Sequence, residues 1–277
     1  MTFEITGDGD IMWKANGSQT RTIEYRKNDG EWTEITSATA GTPISVVSGD
    51  TIQFRGNNLT YSTGTSAYNS FSGTTAEFSV KGNIMSLISS SGFAALNVLT
   101  SARTFSYLMC NCTGLTDVSK LVLPATTLAG YCYANMFSGC TSLTTAPELP
   151  ATTLASGCYY FMFYRCTSLT TAPELPATAL TSECYASMFN GCTSLTTAPE
   201  LPATALTGSC YSAMFNGCTS LNYIKAMFTT TPSTTYTLNW TKGVSSTGTF
   251  VKNSSAQWDV RGADGIPTNW TVETASE

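Results

Sequence analysis

The middle of the chain consists of near-identical copies of a 26-residue segment. The segment Cys-Thr-Ser-Leu-Thr-Thr-Ala-Pro-Glu-Leu-Pro-Ala-Thr-Thr-Leu begins at Cys140, recurs almost unchanged from Cys166 and Cys192, and starts again at Cys218. A divergent first copy begins at Cys112 and has two additional residues. Repetition at a step of roughly 20–50 residues is typical of solenoids, propellers and repeat arrays, in which each copy packs on its neighbours.

The spacing within one copy predicts one strand and one short helix. A repeat of this length is too short for a four-stranded propeller blade or a pair of helices. Leu143, Ala146 and Leu149 occupy inward positions of a strand, and Pro150 ends it. The next apolar residues have the four-residue spacing of a helix face: Leu154, Cys158, Met162 and Cys166, with Phe163 beside them. We therefore predict a leucine-rich-repeat solenoid with a strand plus a short helix in each 26-residue coil.

The order of these residues resembles the repeat of the BspA-like leucine-rich-repeat surface proteins of anaerobic bacteria. The resemblance covers residues 104–228 and depends on the sequence from Cys140 to Pro150, on Leu154, and on the Phe-x-x-Cys ending at Phe163 and Cys166. It implies a solenoid displayed at a bacterial cell surface. It also implies an adhesin, a non-enzymatic binding protein whose partner is a host protein, another cell or a glycan.

The flanking segments differ in character from the repeats. Residues 1–82 alternate apolar and polar positions between Gly, Asn and Asp turns, which predicts a small β-sandwich domain. We expect residues 83–111 to form an N-terminal capping coil, residues 112–228 the leucine-rich repeats, and residues 229–277 a β-rich C-terminal cap. Caps are needed because an end coil otherwise exposes an apolar face.

Composition excludes several classes of function. The 13 basic residues do not offset 18 acidic ones, and the net charge of −5 argues against nucleic-acid binding, which needs clustered Lys and Arg. The chain has no His, and no pair or triad of catalytic residues is visible. We predict a protein that is not an enzyme, needs no cofactor and has no membrane-spanning segment, because no apolar run approaches roughly 20 residues.

The ten cysteines are predicted to be buried free thiols; nine of them belong to two columns of the repeat, and Cys110 stands outside both. Disulfides between coils stay open on distance alone, but parallel side-chain vectors give an unsuitable torsion. A zinc site is not expected, because the Cys-x7-Cys spacing matches no common ligand set. Asp8 and Asp10 are expected to lie in a plain turn rather than in a calcium loop, which needs more oxygen ligands.

A column of carboxylates is the candidate binding surface. Glu148, Glu174 and Glu200 recur at the repeat step, and each precedes an inward leucine, so all three are predicted to point outward. The column is either a solvated face copied with the repeat or the site of a cationic partner. Neighbouring hydroxyls complete the candidate site: Thr145, Thr171 and Thr197. Four tyrosines are open between packing and ligand contact: Tyr159, Tyr160, Tyr185 and Tyr211.

The location of the protein follows from these expectations. The N-terminal residues have neither the basic nor the apolar part of a signal peptide, so no export signal is visible in this chain. We nevertheless predict an extracellular or cell-surface protein from the resemblance. The alternative is a structural component, such as a decoration or fibre protein of a bacteriophage virion.

Overall fold

The computed structural model describes residues 1–275 as an almost entirely β and turn structure. Two short 3-10 helices, Ile84–Leu87 and Phe93–Ala95, are present, and the described residues include no α-helix. Accordingly, no helix in the described range is long and apolar enough to cross a membrane. The strands are β1 Thr2–Gly7, β2 Gly9–Asn16, β3 Thr22–Lys27, β4 Thr33–Thr36, β5 Thr42–Val46, β6 Thr51–Arg55, β7 Tyr68–Ser70, β8 Glu77–Asn83, β9 Leu115–Val122, β10 Tyr223–Ala226, β11 Thr249–Lys252 and β12 Thr271–Thr274.

The N-terminal region has two sheets with a shared aromatic core. One sheet has the order β4-β3-β6-β1-β8-β9, and the other has the order β5-β2-β7. Phe71 follows β7 and lies 4.9 Å, ring centre to ring centre, from both Phe3 on β1 and Trp13 on β2. All three side chains are fully buried. The alternating apolar residues of the strands therefore meet between the sheets, as period-two patterning requires.

The first sheet continues into the repeats. Strand β8 pairs in parallel with β9, with Phe78 opposite Leu115 and Asn83 opposite Val122. Strand β9 belongs to the divergent first copy of the repeat. The hydrogen-bonded ladder therefore passes from the N-terminal region into the coils.

Residues 98–228 form a series of coils that we call the coil stack. Each coil has a run of consecutive turns: residues 102–111, 130–139, 156–165, 182–191 and 208–217 are the turn runs. Within a run, alternate N–H groups close a turn three residues back, as Tyr160 does on Gly157. The others bond to the next coil, as Phe161 does on Ala186. Half of the turn-run N–H groups therefore hold neighbouring coils together.

The prediction of a leucine-rich-repeat solenoid with a strand and a helix in each coil is wrong. An α-helix directs its N–H groups four residues back along the same chain, whereas the turn runs direct every second one to the adjacent coil. Every fourth residue of a run is left-handed, for example Gly157, Phe161 and Arg165 at φ 59°, 56° and 57°. On the other side of the interior coils, only isolated bridges such as Thr145 to Thr171 occur, because Pro147 and Pro150 lack an N–H donor.

Identical side chains stack in columns inside the coil stack. Phe137, Phe163 and Phe189 are fully buried, with ring centres 5.5 and 5.6 Å apart and nearly parallel planes. A parallel column of buried rings consists of Tyr133, Tyr159, Tyr185 and Tyr211. The predicted inward leucines Leu143 and Leu149 are buried as well. Burial of the repeat's apolar columns is thus as expected, although the backbone that carries them is not helical.

All ten cysteines are buried free thiols. Cys140, Cys166 and Cys192 each donate their thiol hydrogen to a backbone carbonyl of the preceding coil, at 3.0, 3.1 and 3.1 Å. Burial raises the pKa of the Cys132 thiol to about 12. The predicted free thiols are confirmed, and their protonated, buried state makes them packing residues rather than nucleophiles.

The C-terminal region continues the parallel ladder. Strand β10 pairs with β11 and β11 pairs with β12, with Tyr223 opposite Thr249 and Thr249 opposite Thr271. The buried side chains of Trp240 and Trp258 lie against Phe228 at the end of the coil stack, and buried Phe250 packs on both tryptophans. This segment thus covers the last repeated coil with aromatic side chains that the repeat itself lacks.

Candidate functional site

The three column glutamates are exposed on one side of the coil stack. The neighbouring residues Leu149, Leu175 and Leu201 are buried, so the alternation between inward and outward side chains directs each carboxylate to solvent. Bridges between coils, such as that from Thr145 to Thr171, hold these segments side by side. The predicted outward orientation of the glutamates agrees with the structure.

A groove runs along this column. Its central part has a volume of about 470 Å³ between the segments 146–150 and 173–176. A second part of about 340 Å³ shares Glu174 and Pro176 with the first, and a third of about 220 Å³ shares Glu148 and Pro150 with it. We call this surface the Glu–Pro groove; its repeated residues are Glu148, Pro150, Glu174, Pro176, Glu200 and Pro202.

The groove is acidic at its centre and has lysines at its ends. Glu200 accepts an ion-pair contact from Lys225, with Nζ 3.0 Å from Oε2. Among residues 1–275, Glu148 and Glu174 have no Lys or Arg nitrogen within ion-pair distance. Lys120 lines the opposite end of the groove. Two adjacent carboxylates therefore have no cationic partner in the described structure, and like charges on neighbouring coils repel each other.

The predicted threonines do not line this groove. Thr145, Thr171 and Thr197 lie three residues before their glutamates, at the bridges between coils. Proline rings line the groove instead. From the sequence pattern, Pro150 was expected only to end a strand. The repeated Glu-Leu-Pro triplet was the available signal, because a residue two positions from an outward residue faces the same way.

A second cluster of exposed side chains lies on the turn runs. Tyr131, Tyr160, Phe161 and Tyr164 are partly exposed, and their rings meet edge to face at centre distances of 6.2, 4.5 and 5.0 Å along that order. The Tyr131 hydroxyl donates to Glu183 Oε2 at 2.8 Å, which raises the pKa of Tyr131.

Two guanidinium groups border this cluster. The guanidinium carbon Cζ of Arg103 lies 4.6 Å from the centre of the Tyr131 ring, and Cζ of Arg165 lies 5.1 Å from the centre of the Tyr164 ring. We call this surface the aromatic–Arg patch; it consists of Arg103, Tyr131, Tyr160, Phe161, Tyr164 and Arg165. Tyr160 is thus a surface residue, whereas Tyr159, Tyr185 and Tyr211 pack in the buried column.

Other candidate ligands are used in local structure. Asp8 Oδ1 accepts from the Ser48 N–H, and Asp10 Oδ1 accepts from the Ser45 hydroxyl, each at 2.8 Å. Within residues 1–275, no group of three or more Cys, Asp or Glu side chains is placed to hold a metal ion.

Comparison with known proteins identifies no relative. No family model matches the chain, and neither a curated protein nor a solved structure is significantly similar to it.

Proposed function

We propose that the chain is a non-enzymatic binding protein that holds a basic, extended segment of a protein ligand in the Glu–Pro groove. The observation that supports this proposal most is the row of adjoining depressions across successive coils, with one carboxylate and one proline contributed by each of three coils.

The chemistry of the groove suits Lys and Arg side chains. Carboxylates accept charge-assisted hydrogen bonds from ammonium and guanidinium groups. The apolar stems of Lys and Arg pack on apolar surface while their charged ends stay polar, and the rings of Pro150 and Pro176 offer such surface. A basic ligand would also relieve the repulsion between Glu148 and Glu174.

Binding of oligo-arginine and oligo-lysine peptides, measured by calorimetry, tests this proposal. We expect the variant with Glu148, Glu174 and Glu200 all changed to Gln to bind at least tenfold more weakly than the unaltered chain. Affinity should also fall as salt rises, because exposed charges are screened.

A matched variant separates the groove from the overall acidity of the protein. Changing the exposed Glu31, Glu34 and Glu77 to Gln removes the same charge outside the groove. We expect this control to retain its affinity within about twofold. Equal losses in the two triple variants would show that the peptides are attracted only by net charge, and the proposal would then be wrong.

We further propose that the protein acts outside the cell, at a cell surface. The long, regular face of the coil stack supports a role in contacting large partners. Antibody detection on washed native cells, in culture supernatant and on density-purified phage particles tests it. Signal on intact cells is expected; signal that bands only with particles would make the chain a virion component instead.

A further inference from the structure

One turn run differs from its copies only at outward positions. Residues 160, 161, 164 and 165 are Tyr, Phe, Tyr and Arg. The corresponding residues in the next coil are small or polar: Ala186, Ser187, Asn190 and Gly191. Two further copies have the same character, with Ala134, Asn135, Ser138 and Gly139 in one and Ser212, Ala213, Asn216 and Gly217 in the other. The 102–111 run has Ser106, Tyr107, Cys110 and Asn111 at these positions.

The inward positions of the same turn run are unchanged. Cys158, Tyr159, Met162, Phe163 and Cys166 match the residues of the following coil and are buried as they are there. The core of the coil therefore does not require the four large outward side chains. The matching Ala186 and Ser187 of the next coil are themselves buried, so it is the exposed part of the four large side chains that is available to a ligand.

Two of the four residues also have an unfavourable backbone conformation. Phe161 and Arg165 lie at φ 56° and 57°, in the left-handed region that favours Gly and Asn. Three other copies have Gly at the position of Arg165. At the position of Phe161, one copy has Asn135. The same positions are left-handed in every run, also with Tyr107, Ser187 and Ala213, so the turn backbone sets this conformation and glycine accommodates it most easily.

The chemistry of the aromatic–Arg patch fits a sugar with a carboxylate. Ring faces carry partial negative charge and attract the polarised C–H groups of a pyranose face. Arg103 and Arg165 have no carboxylate within ion-pair distance among the described residues, so their guanidinium groups are free to bind an anionic oxygen in a bidentate manner. Glu183 is already engaged by the Tyr131 hydroxyl.

We propose that the aromatic–Arg patch is a second binding site, specific for an acidic saccharide. The partly exposed rings of Tyr160, Phe161 and Tyr164 contact the sugar faces, and Arg103 at one end of the patch or Arg165 at the other pairs with a sugar carboxylate. Two guanidinium groups against one engaged carboxylate make this a locally basic surface on a chain of net charge −5. The site is separate from the Glu–Pro groove and does not depend on the function proposed for that groove.

The repeat supplies a variant that is expected to fold. Tyr160→Ala, Phe161→Ser, Tyr164→Asn and Arg165→Gly together give the 156–165 run the residues of the next coil at these four positions. We expect the thermal midpoint of this variant to equal or exceed that of the unaltered chain. Its circular dichroism should be unchanged.

Calorimetry with sialyllactose and with a hyaluronan hexasaccharide, each beside its carboxyl-reduced neutral form, tests the site. We expect at least one acidic sugar to bind, its neutral form to bind at least tenfold more weakly, and the four-residue variant to lose binding by at least tenfold. The triple Gln variant of the Glu–Pro groove should bind the sugar as the unaltered chain does.

Three results would overturn the proposal. These are the absence of binding by both acidic sugars, equal binding of acidic and neutral forms, and full binding by the four-residue variant. If no sugar binds and the unaltered chain instead shows concentration-dependent self-association that the variant lacks, the patch is a contact between copies of this chain.

Discussion

The N-terminal sheets and the coil stack are stabilised in different ways. In the N-terminal region, each core contact occurs once and joins unlike positions of the chain: Phe71 packs on Phe3 and on Trp13. Ion pairs add to this core, with Arg55 Nη2 2.8 Å from Glu24 Oε1 and Lys81 bonded to Glu4. Between residues 98 and 228, the structure describes one ion pair, that of Lys225 with Glu200. The coil stack depends instead on columns of identical buried side chains.

This difference explains why the repeats are so uniform. A side chain in a column packs against copies of itself above and below, so a change in one coil alters its fit to two neighbours. A residue in the N-terminal core needs to fit only its own, unlike partners. Close packing therefore restricts variation in the columns, while outward positions such as 160 and 161 vary freely.

The largest expected effect tests the columns directly. Phe163→Ala should lower the free energy of unfolding by about 3–5 kcal/mol, because it leaves a cavity between Phe137 and Phe189. Phe189→Ala should have the same effect, since its column environment is equivalent. Urea denaturation measures both, and Phe161→Ala in the same coil is the surface control. Clearly unequal losses at 163 and 189 would contradict the equivalence of the coils.

A smaller loss is expected from the cysteine column. Cys166→Ser should destabilise the chain by about 1–3 kcal/mol, because it puts a more polar hydroxyl at a fully buried position. The shorter C–O bond also places the hydroxyl farther from the Phe137 carbonyl, which the thiol reaches at 3.1 Å. An unchanged denaturation midpoint would show that the thiol is not buried.

Acid should act first on the N-terminal region. Asp50 accepts from Lys27, from the Val47 N–H and from Asn28, and these bonds lower its pKa from 3.8 to about 2. A lowered carboxyl pKa stabilises the fold above pH 3.8, and this contribution is lost as the pH falls toward 2. Asp50→Asn should therefore flatten the decline of the thermal midpoint in this range.

The control for this pH effect is Glu31→Gln, an exposed carboxyl on the same region. Its profile should follow that of the unaltered chain. If Asp50→Asn also leaves the acid limb of the profile unchanged, the bonds to Asp50 do not contribute to stability.

The smallest effect is expected in the Glu–Pro groove. Changing Glu148, Glu174 and Glu200 together to Gln should leave the free energy of unfolding within about 1 kcal/mol of its original value, shifted upward. Relief of like-charge repulsion outweighs the loss of the exposed pair between Glu200 and Lys225. Thermal denaturation at low salt checks it, and a clear fall in the midpoint would mean that the carboxylates make stabilising contacts.

The sequence predicts the burial of the columns better than the backbone that bears them. Leu154, Cys158, Met162 and Cys166 are buried at four-residue spacing, and both a helix and a run of four-residue turns place every fourth residue inside. Gly139, Gly191 and Gly217, each left-handed, were the distinguishing signal, since Gly within a helix is unfavourable. The strand predicted for residues 143–149 does not form a ladder either, because Pro147 and Pro150 have no backbone N–H to donate.

The candidate sites were predictable to different extents. The outward direction of Glu148 follows from alternation with Leu149, and it agrees with the structure. The groove does not follow, because its walls depend on how the segments of two coils lie against each other. Of the aromatic–Arg patch, the sequence indicated only Tyr160 as a candidate contact residue. The rest depends on contacts between separate coils, such as that of Tyr131 with Glu183, 52 residues apart in the chain.

The alternating backbone bonds of the turn runs have a consequence for the size of the molecule. Each interior turn run offers the same donors to one neighbour and the same acceptors to the other, so the turn-run side of the joint between two coils is equivalent to the next. Duplication or loss of one 26-residue copy therefore leaves no backbone group of the turn runs unpaired. The reach of the protein is adjustable in increments of one coil, roughly 4.8 Å each, without redesign of either end.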